Sequence, residues 1–160
     1  MIFVTTGTQE PFDRLLEVVK IFASNTDEKI VIQAKTKLQF PTNVEIFEFL
    51  SPQDFKKHFN EARLIVSHAG MGSIITALQN GKPIIIFPRI AAMGEHRNEH
   101  QMATAKKIKE QNLVDVTFTK DELISSINNS LNDKSINSRN KINEFASNSL
   151  LDSLDQFIKS

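Results

Sequence analysis

Two short runs, Ile30-Val31-Ile32 and Ile84-Ile85-Ile86, are apolar at successive positions. A strand with one wet face alternates polar and apolar residues. Unbroken runs therefore mean strands covered on both faces, as in a parallel sheet between two helix layers. Similar β-branched segments recur along the chain. They give expected strands at Ile2–Thr5, Lys29–Gln33, Val44–Phe47, Leu64–Ser67, Pro83–Phe87 and Val114–Thr117. Helical patterns fall between most of them. One is expected to start at Pro11, with Phe12, Leu15, Leu16, Val19 and Phe22 at helical spacing. Ser51-Pro52-Gln53-Asp54 reads as a capped helix start. Ile74, Ile75 and Leu78 line a third helix that runs to Asn80 and stops at Gly81-Lys82-Pro83. A fourth is expected over about 98–111, and Thr119-Lys120-Asp121-Glu122 caps a fifth. Strands alternating with helices imply an α/β fold, a three-layer parallel sheet with right-handed crossovers.

Composition narrows the function. The chain has 160 residues, which suits a single domain over 1–160 with a sizeable core. Its 19 basic and 19 acidic side chains are spread evenly, and nucleic-acid binding leans on clustered positive charge, so no nucleic-acid partner is expected. The chain has no Cys, which excludes disulfides, zinc–thiolate sites and cysteine nucleophiles. Met1-Ile2-Phe3-Val4 lacks a basic flank and is soon broken by Gly7, so it reads as a buried strand rather than a signal peptide. No apolar run approaches the ~20 residues of a membrane span. The expected location is the cytoplasm. After Asn128 the chain is rich in Asn and Ser, yet Leu150, Leu151, Leu154, Phe157 and Ile158 form a helical stripe. An amphipathic helix over about 149–159 would either fold back on its own domain or dock on a partner.

Chemistry concentrates between Leu64 and Ala105. Ser67-His68-Ala69 leads into Gly70-Met71-Gly72-Ser73, a glycine turn at the carboxyl end of a strand and at the start of a helix. Glycines there let backbone N–H groups approach a pyrophosphate, and the helix N-terminus carries about half a positive charge. No Gly-Lys-Ser/Thr follows, so this is not a Walker loop, and the dinucleotide fingerprint lacks its third glycine. Thr5-Thr6-Gly7-Thr8-Gln9 offers a second turn after the first strand. His68 reads either as a general base or, preferably, as a prop that hydrogen-bonds a neighbouring loop. Glu95, His96, Arg97, Asn98, Glu99, His100 and Gln101 form the densest polar cluster. His96 and His100 are four apart, but the zincin pattern is absent, so no metal site is expected. Amide and imidazole groups suit a hydroxyl-rich ligand, with a plain helix start as the simpler reading. No Asp-x-Asp occurs anywhere. A diphosphate here would then be stabilised by helix dipole and N–H groups rather than by a divalent cation.

These residues together resemble the family 28 glycosyltransferase C-terminal domain. The resemblance rests on Ser67-His68-Ala69-Gly70-x-Gly72-Ser73, Gly81-Lys82-Pro83, Pro88-Arg89 and Glu95-His96…Asn98-Glu99-His100-Gln101…Ala105. The opening Phe3-Val4-Thr5-Thr6-Gly7-Thr8-Gln9, with Pro11-Phe12-Asp13-Arg14-Leu15, is similar to a particular branch. That branch holds PssE-type subunits of bacterial capsule and exopolysaccharide transferases and the soluble half of the split eukaryotic chitobiose transferase. The likeness spans roughly residues 1–125.

The resemblance implies a Rossmann-like donor-binding half of a GT-B glycosyltransferase. It implies inverting, metal-independent transfer from a UDP-sugar, with no cofactor. The acceptor, a lipid-linked saccharide, would sit on a separate membrane-associated subunit that holds this chain at the inner face of the membrane. Phe49 and Leu50 match the family's uracil-contacting backbone. Gly7, Thr8, His68, Gly70, Met71, Gly72, Ser73 and Arg89 match its nucleotide and diphosphate contacts. Glu95, Asn98, His100 and Gln101 match the donor-sugar segment. One departure concerns the ribose. In the peptidoglycan branch an acid on the helix after the glycine loop grips its hydroxyls, whereas the helix from Ser73 to Asn80 holds none, with Thr76 or a neighbour in its place. No catalytic base stands out, so the acceptor half is expected to supply it. The rivals are a non-catalytic nucleotide-binding regulatory domain and, more remotely, a fragment of a UDP-sugar epimerase.

Overall fold

The computed structural model describes residues 1–7, 10–90, 100–110 and 114–132. In chain order the elements are β1 (Ile2–Thr5), α1 (Asp13–Ala23), β2 (Ile30–Gln33), β3 (Val44–Phe47), α2 (Pro52–Glu61) and β4 (Leu64–Ser67). Then come α3 (Met71–Gln79), β5 (Ile84–Ile86), α4 (His100–Glu110), β6 (Asp115–Val116) and α5 (Lys120–Asn132). The strands form one all-parallel sheet in the order β3-β2-β1-β4-β5-β6. The chain winds outward from β1 in one direction, then returns and winds outward from β4 in the other. The loops leaving β1 and β4 thus diverge, which opens a crevice at their carboxyl ends.

The period of two sorts the strand side chains into two cores. Ile2, Val4, Ile30, Ile32, Leu64, Val66 and Ile85 pack against Leu15, Leu16 and Val19 of α1 and Leu123 and Ile127 of α5. Phe3, Val31, Ile65, Ile84 and Ile86 pack the other way, against Phe59 of α2, Ile74, Ala77 and Leu78 of α3, and Ala105 and Ile108 of α4. The two isoleucine runs are apolar throughout because both faces are covered. The two edge strands leave residues exposed, Glu45 and Ile46 on β3 and Asp115 on β6.

The ends of the elements differ slightly from the expectations. Lys29, Pro83, Phe87, Val114 and Thr117 flank their strands, although Ile2 N–H still donates to Lys29 and Thr117 N–H to Ile86. Helix α1 begins at Asp13, not Pro11. Phe12 is non-helical (φ −134°, ψ 60°), and its fully buried ring stacks on Phe87 at 6.0 Å, so the chain turns helical only afterwards. Ser51 caps α2 by accepting from the Asp54 N–H at 3.1 Å. Gly81 ends α3 in the left-handed region (φ +64°), with Lys82 N–H returning to Ala77 O at 2.9 Å. The Thr119 hydroxyl caps α5 by accepting from the Glu122 N–H at 3.2 Å, and the Glu122 carboxylate reaches back to accept from the Phe118 N–H at 2.8 Å. The stripe at 149–159 lies outside the described residues.

The end of the sheet away from the crevice is held by ions. The Arg63 guanidinium makes two parallel 2.8 Å bonds to the Glu28 carboxylate, and the Met1 amino group lies 3.0 Å from it. Those hydrogen bonds, Arg63's foremost, hold the Glu28 pKa down at about 2 against an ordinary 4.5. The folded value lies below the unfolded one. Its stabilisation is therefore complete above pH 4.5 and is lost as pH falls toward 2. Glu28→Gln is expected to cost about 1–2 kcal/mol near neutral pH, a figure discounted for the half-exposed Arg63. Urea titrations at a series of pH values should show that deficit vanish below the carboxylate range. A deficit constant down to the lowest pH would contradict the assignment.

Candidate functional site

The site is built from the carboxyl ends of the strands. Parallel pairing places Thr5 opposite both Gln33 and Ser67, so the loops after β1 and β4 leave the sheet side by side. His68 N–H donates to Thr5 O at 3.3 Å and keeps them together. Gly7 needs its glycine because its φ is +78°. Gly70 has an ordinary φ of −86° and needs its glycine for a different reason. A Cβ there would stand 2.5 Å from the His68 ring, and a Cβ on Gly7 would stand 3.0 Å from the same ring's Nε2. The imidazole is wedged between the two glycine turns. Gly72, by contrast, meets no described atom within 4 Å on its side-chain direction. Nothing described in the chain requires glycine there, which leaves open space at the first turn of α3.

That turn is poised for an anion. Its N-cap is Gly70, which has no side chain to cap the helix, no acid lies in the turn, and the N–H groups of Met71, Gly72 and Ser73 have no acceptor among the described residues. Met71 is half-buried against the second core. Thr76 turns its hydroxyl to Gly72 O at 2.8 Å.

Arg89 follows β5 and is almost fully buried. Its guanidinium donates to Thr6 O and, at 3.2 Å, to Pro11 O, and it lies 4.8 Å over the Phe12 ring. It therefore grips both ends of the first glycine loop from behind. Arg14 reinforces the same wall, donating to Pro88 O at 2.8 Å from 4.3 Å over Phe87. The Arg89 guanidinium thus backs the first loop, and that of Arg14 braces the segment after β5.

Gln101, on α4, is buried. It joins the same assembly, accepting from Arg89 N–H at 3.0 Å and reaching His68 Nδ1 at 2.9 Å. The expected prop role of His68 thus has a geometry, with a side chain as its partner besides the Thr5 backbone. Phe49 and Leu50 follow edge strand β3, two strand spacings from β1. Phe49 is 75% exposed, while Leu50 packs on the second core. Thr8, Glu95 and Asn98 lie outside the described residues. His100 opens α4, and its side chain is likewise not described. Among the described residues no cluster of metal-ligating side chains occurs.

One residue of the site was not singled out by sequence reasoning. Gln33, buried at the end of β2, accepts from the Thr5 hydroxyl at 2.8 Å and donates to Gly7 O and Glu48 O, both at 3.3 Å. It ties the first glycine loop to the segment before Phe49. The available signal was a polar side chain closing the apolar run Ile30-Val31-Ile32.

A model of the glycosyltransferase family 28 C-terminal domain matches residues 1–156. The chain belongs to that family. The UDP-N-acetylglucosamine transferase subunit ALG13 of Candida albicans is 30% identical over 109 residues, which cover 68% of this chain and 36% of that protein. The chain thus matches about a third of the length of that relative. A solution structure of ALG13 superposes with a TM-score of 0.64 at 22% identity, covering 99% of this chain and 96% of the other. The crystal structure of Acinetobacter baumannii MurG gives a TM-score of 0.62 at 17% identity, covering 97% and 49%. These structural likenesses establish the Rossmann-like fold found in GT-B enzymes.

Two substitutions separate the glycines. Gly70→Ala is expected to push the His68 ring from Gln101 and to destabilise the fold by about 1–3 kcal/mol. Gly72→Ala should leave stability unchanged or raise it by up to about 1 kcal/mol, since Ala favours helix and meets open space. Thermal unfolding checks both. Equal loss from the two would contradict the wedge.

Proposed function

We propose that this chain is the donor-binding half of an inverting UDP-sugar glycosyltransferase, working with a membrane-associated subunit that binds the acceptor. The observation that carries the reading is the pair of glycine turns. They meet around His68 at the sheet's switch point, in front of the open first turn of α3. The Candida relative is a transferase subunit, which supports a division of labour between chains.

In this reading the diphosphate lies across the two turns. The N–H groups of Met71, Gly72 and Ser73, the Gly7–Thr8 loop and His68 face it, with Arg89 and Arg14 adding positive charge from below. The uracil lies toward Phe49 and Leu50, and Glu95, Asn98 and His100 face the donor sugar. The acceptor hydroxyl attacks the anomeric carbon on the face opposite UDP. The new C–O bond forms as the bond to the β-phosphate oxygen breaks, and the electron pair leaves with UDP. Charge on the leaving group grows during this step, so donors already fixed by the fold stabilise the transition state more than the ground state. The acceptor proton goes to a base on the other subunit. With no Asp-x-Asp in the chain, the reading assigns no metal and no cofactor.

The acceptor we assign is a lipid-linked saccharide in capsule or exopolysaccharide synthesis, on the resemblance of the first loop to PssE-type subunits. The whole of 1–160 serves as one such domain, held at the inner face of the membrane through its partner. Among the described residues no helix is long and apolar enough to cross a membrane.

The test is transfer from UDP-sugar to lipid-linked acceptor by this chain with and without its membrane subunit. Activity should require both. Full activity from the chain alone would overturn the split reading. Separately, Asn98→Ala should weaken UDP-sugar binding about two- to tenfold while leaving UDP binding intact. No change in either affinity would remove this segment from the sugar site and favour a purely nucleotide-binding role.

A further inference from the structure

The amide of Gln101 is oriented by a donor that has no choice. The backbone N–H of Arg89 can only donate, so the group facing it at 3.0 Å is the Gln101 carbonyl oxygen Oε1. The other end of the amide, Nε2, then lies 2.9 Å from His68 Nδ1. An amide NH2 only donates. Nδ1 must therefore accept through its lone pair, and a neutral imidazole whose Nδ1 accepts carries its proton on Nε2. The Nε2 edge is the one turned toward both glycines, as the hypothetical Cβ distances of 3.0 Å at Gly7 and 2.5 Å at Gly70 show.

We infer that Gln101 is a positioning residue that locks His68 as the Nε2–H tautomer, turning that N–H toward the two glycine turns. The inference rests on the donor-site reading for the anion that lies across those turns, the diphosphate. It changes the role of Gln101 within that reading. Its amide is engaged by the protein once at each end, so within that reading Gln101 acts on the phosphate end of the donor through His68. It also removes His68 as a base toward the donor, because a nitrogen that carries a proton cannot take one. The same side chain links α4 to both loops, through His68 to the second and through the Arg89 backbone to the first.

The test is a long-range proton–nitrogen correlation spectrum of the nitrogen-labelled chain at about pH 8.5, where an ordinary imidazole is neutral. The His68 signals are assigned by their loss in His68→Asn. A pyridine-type Nδ1 with a pyrrole-type Nε2 is expected. The reverse pattern, or an average of both, would overturn the inference. Gln101→Met keeps the bulk and removes both hydrogen bonds. It should average the His68 tautomers and weaken UDP and UDP-sugar binding by the same factor, about tenfold. Loss of UDP-sugar affinity alone would instead make Gln101 a sugar contact. If Gln101→Met does not fold, the wild-type spectrum still decides. A wild-type chain that shows the Nε2–H pattern but binds no UDP would defeat the donor-site reading and leave the tautomer lock standing.

Discussion

The His68 imidazole, wedged between Gly7 and Gly70, is the contact on which the site depends. It fills the space where two loops from neighbouring parallel strands leave the sheet. Each loop must lack a Cβ at the point of contact, one because its φ is positive and the other because the ring is too close. The ring is held in turn by Gln101 from α4, and Arg89 clamps the first loop from β5. The loops after β1 and β4 and helix α4 therefore converge on one side chain, with β5 bracing the first loop through Arg89. A rigid floor of this kind costs no reorganisation when charge develops on a leaving group, which is the condition for electrostatic catalysis.

Much of the fold could be read from the chain. Runs such as Ile84-Ile85-Ile86 have no polar face, and only a sheet covered on both sides accommodates them. The capping signals at Ser51, Gly81 and Thr119 were equally direct, because each is a local hydrogen-bond or φ requirement. Pro11 misled for a tertiary reason: the pull of Phe12 into the core outweighs the preference of proline for a first helical position.

The site was only partly legible. Gly70 and Gly72 look alike in sequence, yet the first accommodates a protein side chain and the second faces open space. Periodicity cannot make that distinction, because it depends on where a ring from two residues earlier turns. Gln33 and Gln101 were hidden or read differently because their partners lie far away in sequence, 15 to 28 residues for Gln33 and 12 and 33 for Gln101. Arg89 matched a diphosphate contact, but its guanidinium faces the back of the first loop. The ion group at Glu28 and Arg63 lies at the opposite sheet end, so stability there and chemistry at the crevice can be varied separately.

The central claim is that a UDP-sugar diphosphate binds across the two glycine turns. Titrating the nitrogen-labelled chain with UDP and mapping the backbone amide shifts tests it most directly. The account predicts saturable shifts centred on Gly7 and on Met71, Gly72 and Ser73, with a smaller group at Phe49 and Leu50. Saturable binding whose shifts fall elsewhere, for example between α1 and α5, or no binding at all, would contradict it.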